Sequence, residues 1–173
     1  MYLKMLGGVV LILSTSLIGS IKAGELKERV ENLLELNRMI VLLQGELRFH
    51  HATLSEAFEN VEKRMEGSFA ECLKTFVEKL RSKDSGGFEK SWSEFTEQLL
   101  EKKLFLNSDQ GIFRVIQNAL GYLDLTLQKD SMELAVLQIE DAVKEAKRQQ
   151  EEKEKLYRIM GVTIGMLLTL VVL

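Results

Sequence analysis

The chain contains no proline in 173 residues, where average usage of ~5% would give about 9. Proline ends or kinks helices because its ring fixes φ and removes a backbone donor. A chain without it is free to form long unbroken helices, and proline-rich linkers, SH3-type ligands and collagen are excluded. No segment alternates apolar and polar residues over a useful length, whereas the three-to-four spacing of a helix recurs throughout. The fold class is therefore all-α.

The apolar spacing predicts a helix over 25–50, with Leu26, Val30, Leu33, Ile40 and Leu47 on one face, continuous with the segment before Gly24. Thr53-Leu-Ser-Glu56 and Ser68-Phe-Ala-Glu71 both read as capping boxes, opening helices that reach about Met65 and Arg81. Ser82 to Gly87 is a loop. Phe88 to Lys103 forms the next helix around Phe88, Trp92, Phe95, Leu99 and Leu100. After a turn at Asn107-Ser-Asp, a helix over 109–122 buries Ile112, Val115, Ile116 and Leu120. The last helix starts near Asp124 or Leu125 and is expected to bury Leu127, Leu134, Leu137, Ile139 and Val143. The sum is about six helices.

Charge is distributed unevenly. None occurs from Met5 to Ile21 or from Ile159 to Leu173. At ~1.5 Å per residue these runs span roughly 26 and 23 Å of helix, against a hydrocarbon core of ~30 Å. Leu156 and Tyr157 extend the second run while Arg158 snorkels. The expected domains are an N-terminal transmembrane anchor at 1–24, a helical bundle at 25–155 and a C-terminal transmembrane helix at 156–173. The first run has an alternative reading as a cleaved signal peptide, although Ile21 stands at the -3 position of the best cleavage site. Lys22, Lys27 and Arg29 flank one run, and Lys144 to Arg158 flank the other, which places the bundle in the cytoplasm. Gly161-Val-Thr-Ile-Gly165 is a GxxxG motif, and Thr15 and Gly19 share its spacing. Such stripes let helices approach closely, although glycine is also simply common in membrane helices.

The middle holds 20 of the 23 basic residues and all 26 acidic ones. With a net charge of -3 for the chain, nucleic acid is not an expected partner. Lys144 to Lys155 carries nine charges, with Ala146 its one apolar residue. It reads as a solvated stalk (144–155), or alternatively as an exposed last helix packing loosely on the first. There is no P-loop, HExxH or CxxC, and His50 and His51 are the only histidines. No catalytic residue, cofactor or metal is expected. Cys72, the lone cysteine, reads as a small buried hydrophobe.

Two stretches carry a family resemblance. Glu46-Leu-Arg-Phe-His-His-Ala-Thr53-Leu54, with Ala57, resembles the "E…Y…TPL…A" stretch of the stage III sporulation protein AB family. Leu120-Gly121-Tyr-Leu-Asp124, with Gln128, resembles its "LG…D…Q" stretch. Ala52-Thr53-Leu54 replaces the usual Thr-Pro-Leu, and Phe49 stands where tyrosine is usual. The resemblance runs nearly end to end and implies a protein of endospore-forming bacteria. It implies a non-enzymatic platform component of the mother cell–forespore channel, its helical domain an antiparallel bundle of about six helices similar to the F-domain of type II secretion platforms. The implied partners are membrane lipid, a cytoplasmic secretion-type ATPase and other channel subunits. A second copy of the chain stays open as a further partner. The implied location is the outer forespore membrane, with the bundle on the mother-cell side. The competing reading is a membrane-tethered helical scaffold or sensor unrelated to sporulation.

Overall fold

A computed structural model describes residues 2–49, 52–82, 86–121 and 125–172; within its helices, residues 2–6, 8–13, 16, 125–126, 129, 158, 161–162, 165 and 168–172 are described by backbone alone. The helices are α1 (Tyr2–Phe49), α2 (Leu54–Glu62), α3 (Gly67–Arg81), α4 (Phe88–Glu101), α5 (Gln110–Gly121) and α6 (Leu125–Val172). A 3-10 turn at Asn107–Asp109 precedes α5, and no strand occurs among the described residues. The all-helical class and the number of helices match the sequence reading.

The chain divides into two compact units, residues 31–143 and residues 1–30 with 144–173. The charge pattern had placed the boundaries at 24/25 and 155/156. Helices α1 and α6 run unbroken through both positions.

In the unit 31–143 every helix contributes one apolar face. Leu33, Leu36, Met39, Ile40 and Leu43 of α1 are buried, with Phe58 and Val61 of α2, Phe69, Leu73 and Phe76 of α3, and Trp92, Phe95 and Leu99 of α4. Helix α3 packs between α2 and α4. The aromatic side chains interlock there: Phe76 lies 5.0 Å from Phe58, 5.0 Å from Phe95 and 5.8 Å from Trp92. Fully burying one such ring contributes roughly 1.5–3 kcal/mol. The Trp92 indole N–H donates to the Phe113 carbonyl at 3.1 Å, which satisfies its buried donor and ties α4 to α5.

Local chemistry sets the ends of these helices. Thr53 caps α2: its hydroxyl accepts from Glu56 N–H at 3.4 Å, while the Glu56 carboxylate accepts from Thr53 N–H at 2.9 Å. The expected capping box is present. The second box is not. Ser68 does not cap α3, which starts at Gly67 after an extended Glu66 with no side-chain cap. Gly67 has a φ of +77°, a conformation glycine takes without a Cβ clash, and it turns the chain into the helix one residue before Ser68. After α4, Lys103 adopts φ 58° and Leu104 N–H donates back to Leu99 O at 3.0 Å, closing the helix. Asn32 of α1 donates to the Leu104 carbonyl at 3.1 Å, and Leu104 and Phe105 enter the core.

The phase of α6 also differs from the expectation. Leu127, Leu134 and Leu137 are more than half exposed, while Met132 and Ala135 are buried together with the expected Ile139 and Val143. The leucines are larger, but the helix is rotated so that the face bearing the smaller Ala135 meets the core. Ile112 and Val115 of α5 are only half-buried.

In the unit formed by 1–30 and 144–173, Gly19, Ala23, Val30 and Ala146 are buried. Arg29 of α1 donates to Gln149 of α6 at 3.3 Å. The charged stretch expected as a stalk therefore rests one side on α1 within this unit. Arg148 bridges Glu145 at 2.8 Å and Glu152 at 2.9 Å on its outer side. Among the described residues no helix is long and apolar enough to cross a membrane. The two flanking spans expected from the sequence thus have no support there. Many side chains of both apolar runs lie outside the described residues.

Candidate functional site

The first family motif forms a knuckle where α1 gives way to α2. Glu46 sits one turn from the end of α1, buried to 3% exposure. A carboxylate in that setting needs charge and hydrogen bonds to offset its desolvation. Asn60 of α2 donates to it at 2.9 Å, and Arg64, just beyond α2, pairs with it at 3.2 Å. Thr53 caps the intervening turn, and Ala57 and Phe58 are fully buried beside it. The hydrogen bonds from Thr53 hold the Glu56 carboxyl below the usual carboxylate range. Leu54 is half-buried. The motif residues Glu46, Thr53 and Ala57 thus come together to fix the α1–α2 turn, and the missing proline is replaced by a hydroxyl cap. Asn60 and Arg64 went unnoticed in the sequence. Their four-residue spacing, which puts both on one side of the chain's next turn, was the available signal.

Of the second motif, Leu120 is buried at the end of α5, Gly121 is exposed and Gln128 is half-buried on α6. Asp124 lies outside the described residues. Of the membrane-packing candidates, Thr15 is half-buried and Gly19 buried on α1, while the surroundings of Gly161 and Gly165 on α6 lie outside the described residues.

The remaining polar features are sparse. Cys72 is buried, and desolvation raises its thiol pKa, so it stays protonated and unreactive at neutral pH. Among the described residues no group of three or more His, Cys, Asp or Glu is placed to hold a metal ion. Ser93, Thr96, Glu97, Gln110, Arg114 and Gln117 line an open groove between α4 and α5. On the surface of the unit 31–143 the prominent features are apolar stripes, Leu34 and Val41 on α1 and Leu127, Leu134 and Leu137 on α6.

Fold and surface define an all-helical bundle protein with apolar stripes on its outer helices. The profile of stage III sporulation protein AB matches residues 4–173. The chain is 23% identical over 171 residues to stage III sporulation protein AB of Bacillus subtilis (strain 168), covering 99% of each. No solved structure matches. The chain belongs to the stage III sporulation protein AB family.

Proposed function

We propose that the chain is a non-catalytic membrane platform of the mother cell–forespore channel, on which a cytoplasmic ATPase and other channel subunits dock during endospore formation. The family match over residues 4–173 carries the reading, since it covers the bundle and both apolar runs together. Membrane attachment has its own support within the unit 1–30 with 144–173. Leu17, Ile18, Ile21, Leu156, Ile159, Met160, Ile164, Met166 and Leu167 all leave more than two-fifths of their surface exposed. Soluble proteins rarely leave so many large apolar side chains uncovered. The basic residues bordering those runs favour a cytoplasmic bundle.

Two experiments test this. Deleting the gene in its sporulating host should stop development after engulfment, and normal spore yield would refute the role. Full-length tagged protein should remain in the membrane pellet after alkaline carbonate washing and co-purify with an ATPase from sporulating cells. Release into the soluble fraction refutes the anchors. Retention without an ATPase refutes the docking and favours an unrelated membrane-tethered scaffold.

A further inference from the structure

The basic excess of the chain is confined to one unit. Residues 1–30 and 144–173 hold ten basic and six acidic side chains, a net charge of +4. Residues 31–143 hold the other 13 basic and 20 acidic ones, a net charge of -7, and the two together give the chain's -3. The basic unit is also the one that leaves Ile18, Ile21, Ile159 and Met160 of its apolar runs exposed.

Within this unit α1 and α6 keep an antiparallel register. Arg29 donates to Gln149, and the Lys22 ammonium lies within electrostatic reach of the Tyr157 phenol. Lys22 and Arg29 are seven residues apart, Gln149 and Tyr157 eight, so the two steps rise by roughly 10.5 and 12 Å along their helices. The charge-free run of α1 starts at Ile21, next to Lys22, and that of α6 starts at Ile159, two residues past Tyr157. The boundary between charged and apolar sequence therefore lies at one level on both helices. Tyr157 is half-buried there, and an amphipathic ring of that kind suits a head-group layer.

Uncompensated positive charge gathers at the same level. Lys153 and Lys155 are exposed and make no ion pair with any described residue. They stand six and four residues from Ile159, about 9 and 6 Å along the helix, against a head-group layer of roughly 5–8 Å on each side of the hydrocarbon. A flexible lysine stem closes the difference. Lys22 keeps 54% of its side chain exposed even while it pairs with Glu25 at 2.7 Å. Neighbouring acids are mostly engaged: Glu25 by Lys22, Glu152 by Arg148, and Glu154 half-buried with a partner of its own. Glu151 stands one turn further from the boundary than Lys155.

We propose that this boundary is a collar for anionic phospholipid. The ammonium groups of Lys153 and Lys155, with Lys22 at the same level on α1, hold the phosphates of acidic head groups, while the apolar runs meet the acyl chains. Lysine, a compact point charge on a mobile stem, suits a head group that diffuses and exchanges. The collar rests on the membrane attachment proposed above and adds to it the class of lipid.

Lipid quenching on the full chain tests the collar. Ile159→Trp, at an exposed position, places a fluorophore at the start of the apolar run; Trp92, enclosed in the other unit, supplies a constant background. The protein is reconstituted into mixed vesicles of phosphatidylcholine and phosphatidylglycerol, with one or the other lipid brominated in its chains. Relative quenching of the I159W emission should favour phosphatidylglycerol by about fivefold or more, the effect of one lysine near a charged surface. Lys153→Gln with Lys155→Gln should abolish the preference, and high salt should weaken it. Lys74→Gln with Lys90→Gln removes the same charge from exposed positions of the other unit and should leave the preference intact. Circular dichroism checks that these exposed changes preserve the fold. Equal quenching by the two lipids, a preference that outlasts Lys153→Gln with Lys155→Gln, or an equal loss in the control pair would overturn the collar and leave the anchors standing. Absence of quenching by either lipid would overturn the anchors themselves, and the collar with them.

Discussion

The Glu46 cluster makes a prediction that separates the cost of a stranded charge from the loss of a contact. Glu46 is the buried partner, with 4% of its side chain exposed, while 53% of the Arg64 side chain is in solvent. Arg64→Ala removes the Arg64 cation from beside the carboxylate and keeps the Asn60 bond. Removing one partner of a fully buried pair costs about 3–5 kcal/mol, and the half-exposed arginine brings this down to about 2, because water already screens the pair. Glu46→Gln keeps an acceptor for Asn60 and removes the charge, so it should cost about 1 kcal/mol. The double variant should then be more stable than Arg64→Ala alone, by about 1 kcal/mol, because the group that needed the cation is gone. For a chain of this size ~1 kcal/mol moves the melting temperature by about 2–4 °C. Thermal melts at pH 7, followed by circular dichroism at 222 nm, should therefore fall by about 4–8 °C for Arg64→Ala and recover by about 2–4 °C on adding Glu46→Gln. Strictly additive losses would refute the claim that a buried carboxylate is what Arg64 stabilises.

Three further outcomes follow from the geometry. Phe76→Ala should cost about 3–5 kcal/mol and roughly 6–20 °C, with Phe76→Leu costing less than half as much; a loss under about 1 kcal/mol would show that the aromatic cluster is not the centre of the core. Thr53→Ala should cost about 1 kcal/mol at neutral pH. Since Thr53 lowers the Glu56 pKa from its ordinary 4.5, the carboxylate's share of that stability is fully present above 4.5 and disappears as pH falls through the lowered value. The gap between wild type and Thr53→Ala should narrow on acidification by the share of the Thr53 hydroxyl–Glu56 carboxylate bond, because alanine keeps the backbone N–H bond; a gap constant down to pH ~2 would contradict that hydroxyl–carboxylate contact. Hydrogen bonds from Arg148 and Gln149 pull the Glu145 carboxyl down to about 2; in Arg148→Ala a carboxyl-carbon NMR titration should place it nearer its ordinary 4.5, and an unchanged midpoint would deny the Arg148 contact.

What was legible in the sequence was local. The Thr53 cap needs only residues three apart, and the aromatic positions of α3 and α4 repeat at helical spacing, so both were read directly. The orientation of α6 was not local. Leucine content suggests Leu127, Leu134 and Leu137 for the core beside Ile139 and Val143, yet Met132 and Ala135 enter with Ile139 and Val143 instead of the leucines. The rotation of a helix about its axis is fixed by the shape of the surface it lands on, and Ala135 offers a flatter fit than a leucine. Ser68 is no cap because Ser-x-x-Glu caps a helix only where the preceding residue leaves the helix to begin there; Gly67 begins it first. Glu46 was recognisable as a motif residue, but that it is buried depends on Asn60 and Arg64 arriving from another segment.

The chain has one tryptophan, and Trp92 is almost wholly enclosed, 1% exposed, with its indole nitrogen bonded to Phe113. The protein therefore carries its own optical gauge. Intrinsic emission near the blue end in the folded state should shift red when α4 parts from α5. Because the fluorophore sits in the unit 31–143, it reports the integrity of that unit without any dye or tag. Loosening confined to the other unit would leave the colour of its light unchanged.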